Sequence, residues 1–105
     1  MKKLFLTLIA AGMTFSSSMA LAADKLTLQL QWVTQAQFAG YYVALDKGYY
    51  DDEGLDVTIK PGGPDIAPPQ VLAGGGADMM LNWMPSALAA RERGVPIVNI
   101  AQPFK

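Results

Sequence analysis

The sequence predicts an α/β fold, a mostly parallel sheet with helices on both faces. Three observations lead there. Apolar or alternating stretches of strand length recur at residues 26–30, 55–59, 78–81 and 96–101. Between them lie three segments with helical character, at residues 38–49, 65–73 and 86–93. Glycine and proline clusters punctuate the transitions, as in a chain that alternates strand and helix. Four strands separated by three helices read as βαβ units, and right-handed crossovers then place helices on both sides of the sheet.

Composition bounds the function. The chain has 105 residues, 51% hydrophobic and 16% charged, which is globular in character and room for one domain at most. The formal net charge is −1 and no basic run occurs, so a phosphate-tracking nucleic-acid surface has no electrostatic footprint. Cysteine and histidine are both absent from the sequence. That excludes disulfides, Cys/His metal sites, thiol nucleophiles and every Ser-His or Cys-His catalytic pair within it.

Residues 1–22 read as a leader peptide. Lys2 and Lys3 form a positive start, residues 4–15 an apolar run, and Ala20-Leu21-Ala22 a small-x-small cleavage site. Cleavage is expected between Ala22 and Ala23. The apolar run is about a dozen residues, short of the roughly 20 that a membrane span needs. No cysteine follows it for lipid attachment and no twin arginine precedes it. A soluble periplasmic product with no stable membrane insertion after cleavage is therefore expected. The remaining residues 23–105 carry six basic against nine acidic groups, a charge of −3.

The elements follow in order. Leu26, Leu28 and Leu30 alternate with Thr27, Gln29 and Gln31, a strand with one apolar face, and Trp32 arrives on the apolar phase at its end. Phe38, Tyr42, Leu45 and Tyr49 then fall at helical spacing, one stripe that Gly48 interrupts as a left-handed cap. Residues 49–53 form a second short turn before Gly54, and residues 55–59 alternate as the second strand. After the breaker Pro61-Gly62-Gly63-Pro64, Asp65 is placed to cap a short helix with Pro68 and Pro69 in its first turn, ended by Gly74-Gly75-Gly76. Residues 78–81 suit a buried parallel strand. The alanine-rich stretch 86–93 closes with Arg91, Arg93 and Gly94, cations and a glycine where a helix ends. Residues 96–101 read as a fourth strand.

In an open parallel sheet a ligand binds outside the carboxyl ends of the strands. That rule selects Trp32, Gln35, Gln37 and Phe38 after the first strand, and Gly62, Gly63 and Asp65 after the second. Asn82 and Trp83 follow the third, and Gln102 the fourth. Indoles stack on a flat ring, and Gln, Asn and Asp side chains pair with ring nitrogens and amino groups. Each has a plainer reading. Trp32 suits the core by its phase, Trp83 suits packing under its own helix, Phe38 belongs to the apolar stripe, Asp65 suits a cap, and Gly62-Gly63 suits a simple turn. Neither glycine cluster is a phosphate loop, since no Gly-Lys-Ser/Thr follows. Asp51-Asp52-Glu53 reads as a solvated face, not a calcium loop.

The succession LQWVTQAQFAGYYVALDKGYYDDEGLDVTI, PGGPDIAPPQVLAGGGADM and NWMPSALAARERGVPIVNIAQ resembles the first third of a periplasmic substrate-binding protein of the NMT1/THI5-like (SsuA/THI5) group of ABC importers. The likeness runs over residues 26–102, and ALDKGYYDDEGLDV is its most specific part. The resemblance implies a periplasmic-binding-protein-like type II fold, of which residues 23–105 are the N-terminal part of lobe one. It also implies a strand order 2-1-3-n-4, with strand n supplied after the chain returns from a second lobe. A monomeric receptor for a thiamine-pyrimidine precursor follows, with an inner-membrane ABC permease as partner and no cofactor. In the group the tryptophan is commonly followed by Thr-Pro, whereas Val33-Thr34 stands here.

Two functions from different classes are implied. One is the solute-binding component of an importer, closing two lobes on a small molecule by hinge motion. The other is a pyrimidine synthase of thiamine biosynthesis, which draws on a PLP-derived scaffold, a histidine and iron; the chain contains no histidine, and Lys47 and Lys60 lie in solvated contexts. The strand-end turns hold no arginine, which favours a neutral heteroaromatic ring over nitrate or a sulfonate, with riboflavin a further candidate.

Overall fold

The structure is a computed structural model that describes residues 22–103. The expected leader, apart from Ala22 at its end, lies outside the described residues, as do residues 104 and 105.

Strand β1 (Asp24–Gln29) is the centre of a three-stranded parallel sheet in the order β2-β1-β3. It pairs with β2 (Leu55–Lys60) over six positions, from Asp24↔Leu55 to Gln29↔Lys60. On its other side it pairs with β3 (Met79–Met80), through Leu28↔Met79 and Gln29↔Met80. The ladder continues past the strand ends: Leu30 N–H donates to the Lys60 carbonyl and Leu81 N–H to the Gln29 carbonyl, both at 2.9 Å.

Alternation in register decides where the core forms. Leu26, Leu28 and Leu30 share one face with their neighbours Val57, Ile59 and Met79. Leu28, Leu30 and Phe38 are buried there, with Leu26, Tyr41, Tyr42, Ile59, Met79 and Leu81 packed around them. Lys60 leaves the opposite face, and its ammonium donates to the Gly76 carbonyl at 3.0 Å, just past α3 (Pro68–Ala73). Helices thus lie against both sides of the sheet.

The helical stripe is interrupted at Gly48, as the left-handed cap expected there requires. A 3-10 turn (Ala36–Phe38) leads into α1 (Ala39–Asp46), and Gly48, at φ 73°, separates it from the four-residue α2 (Tyr49–Asp52). A left-handed residue ends the α1 rod, so only its start covers the sheet. Phe38 and Tyr42 of the stripe pack on the core, whereas Leu45 and Tyr49 are exposed, and Tyr41 takes the place the stripe gave to them.

Helix α3 begins at Pro68 and Pro69, both buried, as first-turn prolines. Its cap position is Ala67, with no side-chain cap, so the expected Asp65 cap does not form. Helix α4 (Met84–Glu92) starts two residues earlier than the composition suggested, with Pro85 in its first turn, and ends at Arg93 before Gly94 at φ 91°.

The fourth strand expected at residues 96–101 is absent: residues 95–103 run without strand pairing. The segment folds back on α4 instead, through Val95 N–H to the Ala90 carbonyl at 3.1 Å and the Arg91 guanidinium to the Ile97 carbonyl at 3.0 Å. Ile97 is buried, while Val98 and Ile100 are 79% and 72% exposed. A strand exists only through a neighbour's backbone, and none of the described residues pairs with this segment. Among the described residues no helix is long and apolar enough to cross a membrane.

Candidate functional site

Three chain exits meet at the carboxyl edge of the sheet: Gln31-Trp32 after β1, residues 61–64 after β2, and Asn82-Trp83 after β3. Together with the start of α3 they enclose a cleft of about 290 Å³, with Trp32, Gly63, Asn82 and Trp83 on its wall beside Pro68 and Pro69. Both indoles are open to solvent, Trp32 at 51% and Trp83 at 62% exposure. A volume near 300 Å³ is at the small end for ligand sites, the size of one substituted ring.

Trp32 is held in an unusual backbone state. Its φ of 54° makes it the one non-glycine residue in the left-handed region among those described. For an L-residue that state costs about 1–2 kcal/mol. The plainer reading, a core tryptophan, does not hold, because the left-handed turn carries Trp32 off the apolar face its phase assigned to it. Next to it, the Gly62 backbone lies flush on the 31–32 peptide: a Cβ at Gly62 would sit 2.6 Å from the Trp32 nitrogen and 2.5 Å from the Gln31 carbonyl carbon. Gln29, only 3% exposed, ties the two exits together through its amide nitrogen, which donates to the carbonyls of Leu30 at 2.8 Å and Pro61 at 3.0 Å.

The remaining wall sets the polar Gln31, Gln70, Ser86 and Arg93 among the apolar Ile66, Ala67, Pro68 and Pro69. The Gln31 carbonyl oxygen Oε1 is buried without a hydrogen-bond partner. A buried acceptor left unpaired costs about 1–3 kcal/mol, so an N–H donor placed there gains at least the relief of that cost. Asn82 donates from Nδ2 to the Ser86 hydroxyl at 3.1 Å, which fixes its amide against the first turn of α4. Arg93 is the one charged side chain on the cleft wall among the described residues. It comes from the far end of α4, seven residues after Ser86 and so on nearly the same helix face, about 10 Å along the axis.

The structure brings together four of the residues the strand-end rule selected: Trp32, Gly63, Asn82 and Trp83 line the cleft. Gly62 backs it, against the 31–32 peptide. Phe38 is 1% exposed and belongs to the core, packed with Leu28 and Leu30, as its place on the apolar stripe implied. Gln35 and Gln37 are exposed and pair with each other, Gln37 Nε2 donating to Gln35 Oε1 at 3.2 Å, away from the cleft wall. Asp65 is exposed and also off the wall. Gln102 borders a second, larger hollow of about 1050 Å³, mainly apolar, with Tyr41, Tyr50, Leu88 and Ile100. Gln31, Asn82 and Trp83 border both. In the larger hollow the Tyr50 hydroxyl donates to the Tyr41 carbonyl at 3.3 Å. Burial pushes both hydroxyls above the ordinary tyrosine value, and at Tyr50 the neighbouring Tyr41 adds to it.

Two residues escaped the sequence reading. Gln31 sits on the polar phase of β1 at its carboxyl end, a position the strand-end rule covers one residue before Trp32. Arg93 carried no signal, because helix length and packing alone bring its end to the cleft.

A parallel sheet in the order β2-β1-β3, with helices packed beside it and a cleft at its strand ends, is a partial periplasmic-binding-protein-like α/β fold. The chain belongs to the NMT1/THI5-like family, whose pattern matches residues 35–105. It is 31% identical over 93 residues to a formylaminopyrimidine-binding protein of Halalkalibacterium halodurans, covering 89% of this chain and 28% of that protein. It is 33% identical over 90 residues to the 4-amino-5-hydroxymethyl-2-methylpyrimidine phosphate synthase THI11 of Saccharomyces cerevisiae, covering 80% of this chain and 26% of that one. A synthase of the same description from Candida albicans is 35% identical over 90 residues, with the same coverage. The chain thus spans roughly a quarter of the length of the curated relatives it matches.

Proposed function

We propose that the chain is the first-lobe part of an extracytoplasmic solute-binding protein that takes a small heteroaromatic ring of the thiamine-pyrimidine-precursor kind and delivers it to an ABC permease in the inner membrane. The observation that carries this reading is two open indoles, Trp32 and Trp83, on one ring-sized cleft with the unpaired acceptor of Gln31. Stacking a ring on an aromatic side chain contributes about 1–3 kcal/mol. The Asn82 amide offers a polar contact to an exocyclic amino group on that ring, and Gln31 a second once its buried Oε1 turns to the cleft. The formylaminopyrimidine-binding relative supports the ligand class, and the leader-like residues 1–22 support export. A second lobe would close the open side by hinge motion.

The yeast relatives favour a second reading, a pyrimidine synthase. Against it stands a cleft wall whose one charged group among the described residues is Arg93, with no carboxylate or lysine of those residues on it. Calorimetric titration of the full-length gene product, without its leader, separates the readings. Saturable binding of formylaminopyrimidine or hydroxymethylpyrimidine, by a colourless protein, is the expected result. Preference for an alkanesulfonate would transfer the ligand class to Arg93 and refute the neutral ring. Visible-edge absorbance from a bound pyridoxal phosphate would favour the synthase.

A further inference from the structure

We propose that Gln29 and Gly62 are positioning residues, a two-point clamp that fixes the Trp32 indole on the cleft wall before any ligand arrives. This rests on the reading of the cleft as a ring-binding site.

The geometry comes from two exits that a parallel pair leaves side by side. Strands β1 and β2 end in register at Gln29 and Lys60. Beyond the Leu30 N–H to Lys60 carbonyl bond, no backbone pairing joins the two departing chains among the described residues. Gln29 does so here: buried at the last paired position, its amide reaches across to the Pro61 carbonyl while also holding Leu30 of its own chain. The same nitrogen lies 3.4 Å from the Lys60 carbonyl, which already accepts from Leu30 N–H. Pro61 is thereby anchored, with its φ fixed by its ring, and Gly62 follows directly against the 31–32 peptide. No side chain fits between them, since a Cβ would overlap the Trp32 carbonyl oxygen as well as its nitrogen.

Trp32 is where the constraint is expressed. A bulky residue with positive φ is a genuine outlier that persists only when its surroundings over-determine it. No side-chain hydrogen bond of Trp32 is recorded among the described residues, and its ring is half open to solvent. What surrounds its backbone is the Gly62 contact and, one step back, the Gln29 amide. The strained turn aims the side chain away from the core phase of β1 and into the cleft. An indole held in one orientation loses little freedom on stacking, so the clamp acts on affinity through pre-organisation and touches no ligand itself.

The test separates the clamp from the cleft. The sequence holds two tryptophans, so Trp83→Phe leaves Trp32 as the sole indole. In that background, without ligand, near-ultraviolet circular dichroism reports how firmly Trp32 is held. Gly62→Ala and Gln29→Met are each expected to weaken the Trp32 band while the far-ultraviolet spectrum persists. In the otherwise native protein each is expected to weaken formylaminopyrimidine binding on the order of tenfold, approaching the loss from Trp32→Ala. Should Gly62→Ala fail to fold, Gln29→Met carries the test alone, as its shape is close to that of Gln. If both variants keep the band and the affinity while Trp32→Ala loses affinity, the clamp is wrong and the ring site stands. If Trp32→Ala binds as tightly as the native protein, the ring site is wrong, and the ligand-free spectra decide the clamp: a lost band supports it and a retained band overturns it.

Discussion

The two ends of this chain carry similar local signals and fold to different degrees. Strands β1 and β2, with the turn and helices between them, form a ladder of six parallel pairs and bury Leu28, Leu30, Phe38 and Val57. The second half has an equally apolar strand candidate at residues 78–81 and a stronger one at 96–101, yet yields two paired positions and a segment with no strand. Residues such as Val98 and Ile100 have high strand propensity and lie exposed all the same. The difference teaches that strand propensity selects which segments can pair, whereas a neighbour at the right distance decides which of them do.

Core truncation at the two ends should break this contrast most visibly. Phe38→Ala and Leu30→Ala remove side chains that are each 1% exposed, and should cost about 2–5 kcal/mol in denaturant unfolding. The same assay should register Val98→Ser and Ile100→Ser within about 0.5 kcal/mol of the native protein. A large loss at Val98 would show that the tail has a packing partner in solution.

Next in size is the bond between the two exits. Gln29→Leu strands the Pro61 and Leu30 carbonyls without their donor and should cost about 1–3 kcal/mol in the same unfolding experiment. Smaller again is the strain at residue 32. Trp32→Gly should be more stable than Trp32→Ala by about 1 kcal/mol, because glycine occupies the left-handed region without penalty; equal melting would mean that the turn relaxes in solution.

The smallest effect concerns pH. Tyr41 and Tyr50 are held above their ordinary value of 10.0, chiefly by burial, so the folded state keeps their protons more tightly than the unfolded chain does. Their contribution to stability is therefore constant below pH 10.0 and is lost as pH rises through the raised folded values. Thermal melting across that range should fall less steeply for Tyr50→Phe than for the native protein. Both groups are only partly shielded, which keeps the effect small.

Much of the site was legible because it follows from topology. Once residues 26–30, 55–59 and 78–81 are strands of a parallel sheet, their carboxyl ends must share an edge, and Trp32, Gly63, Asn82 and Trp83 fall there without any further information. The rule failed where the local backbone departed from a generic turn. Phe38, at the end of a 3-10 turn, followed its apolar-stripe spacing into the core and not the strand-end rule. Gln37 donates to the Gln35 side-chain carbonyl on the outside of the same turn, away from the cleft. Asp65 lost its capping role because the helix begins two residues beyond the position it could serve.

By itself, the sequence determined the alternation of strand and helix, the parallel pairing, the order β2-β1-β3 through its family likeness, and the edge where a ligand would lie. These follow from local period, breaker residues and chain connectivity, which are all properties of neighbours along the chain. Only the tertiary structure decided that residues 96–101 stay unpaired, that Gln31 and Arg93 border the cleft, and that Trp32 turns away from the core. The first depends on the lack of a pairing neighbour among the described residues, and the other two on contacts between segments some 30 to 60 residues apart in sequence, such as Gly62 against Trp32. No window along the chain contains both sides of such a contact, and its energy outweighs local preference.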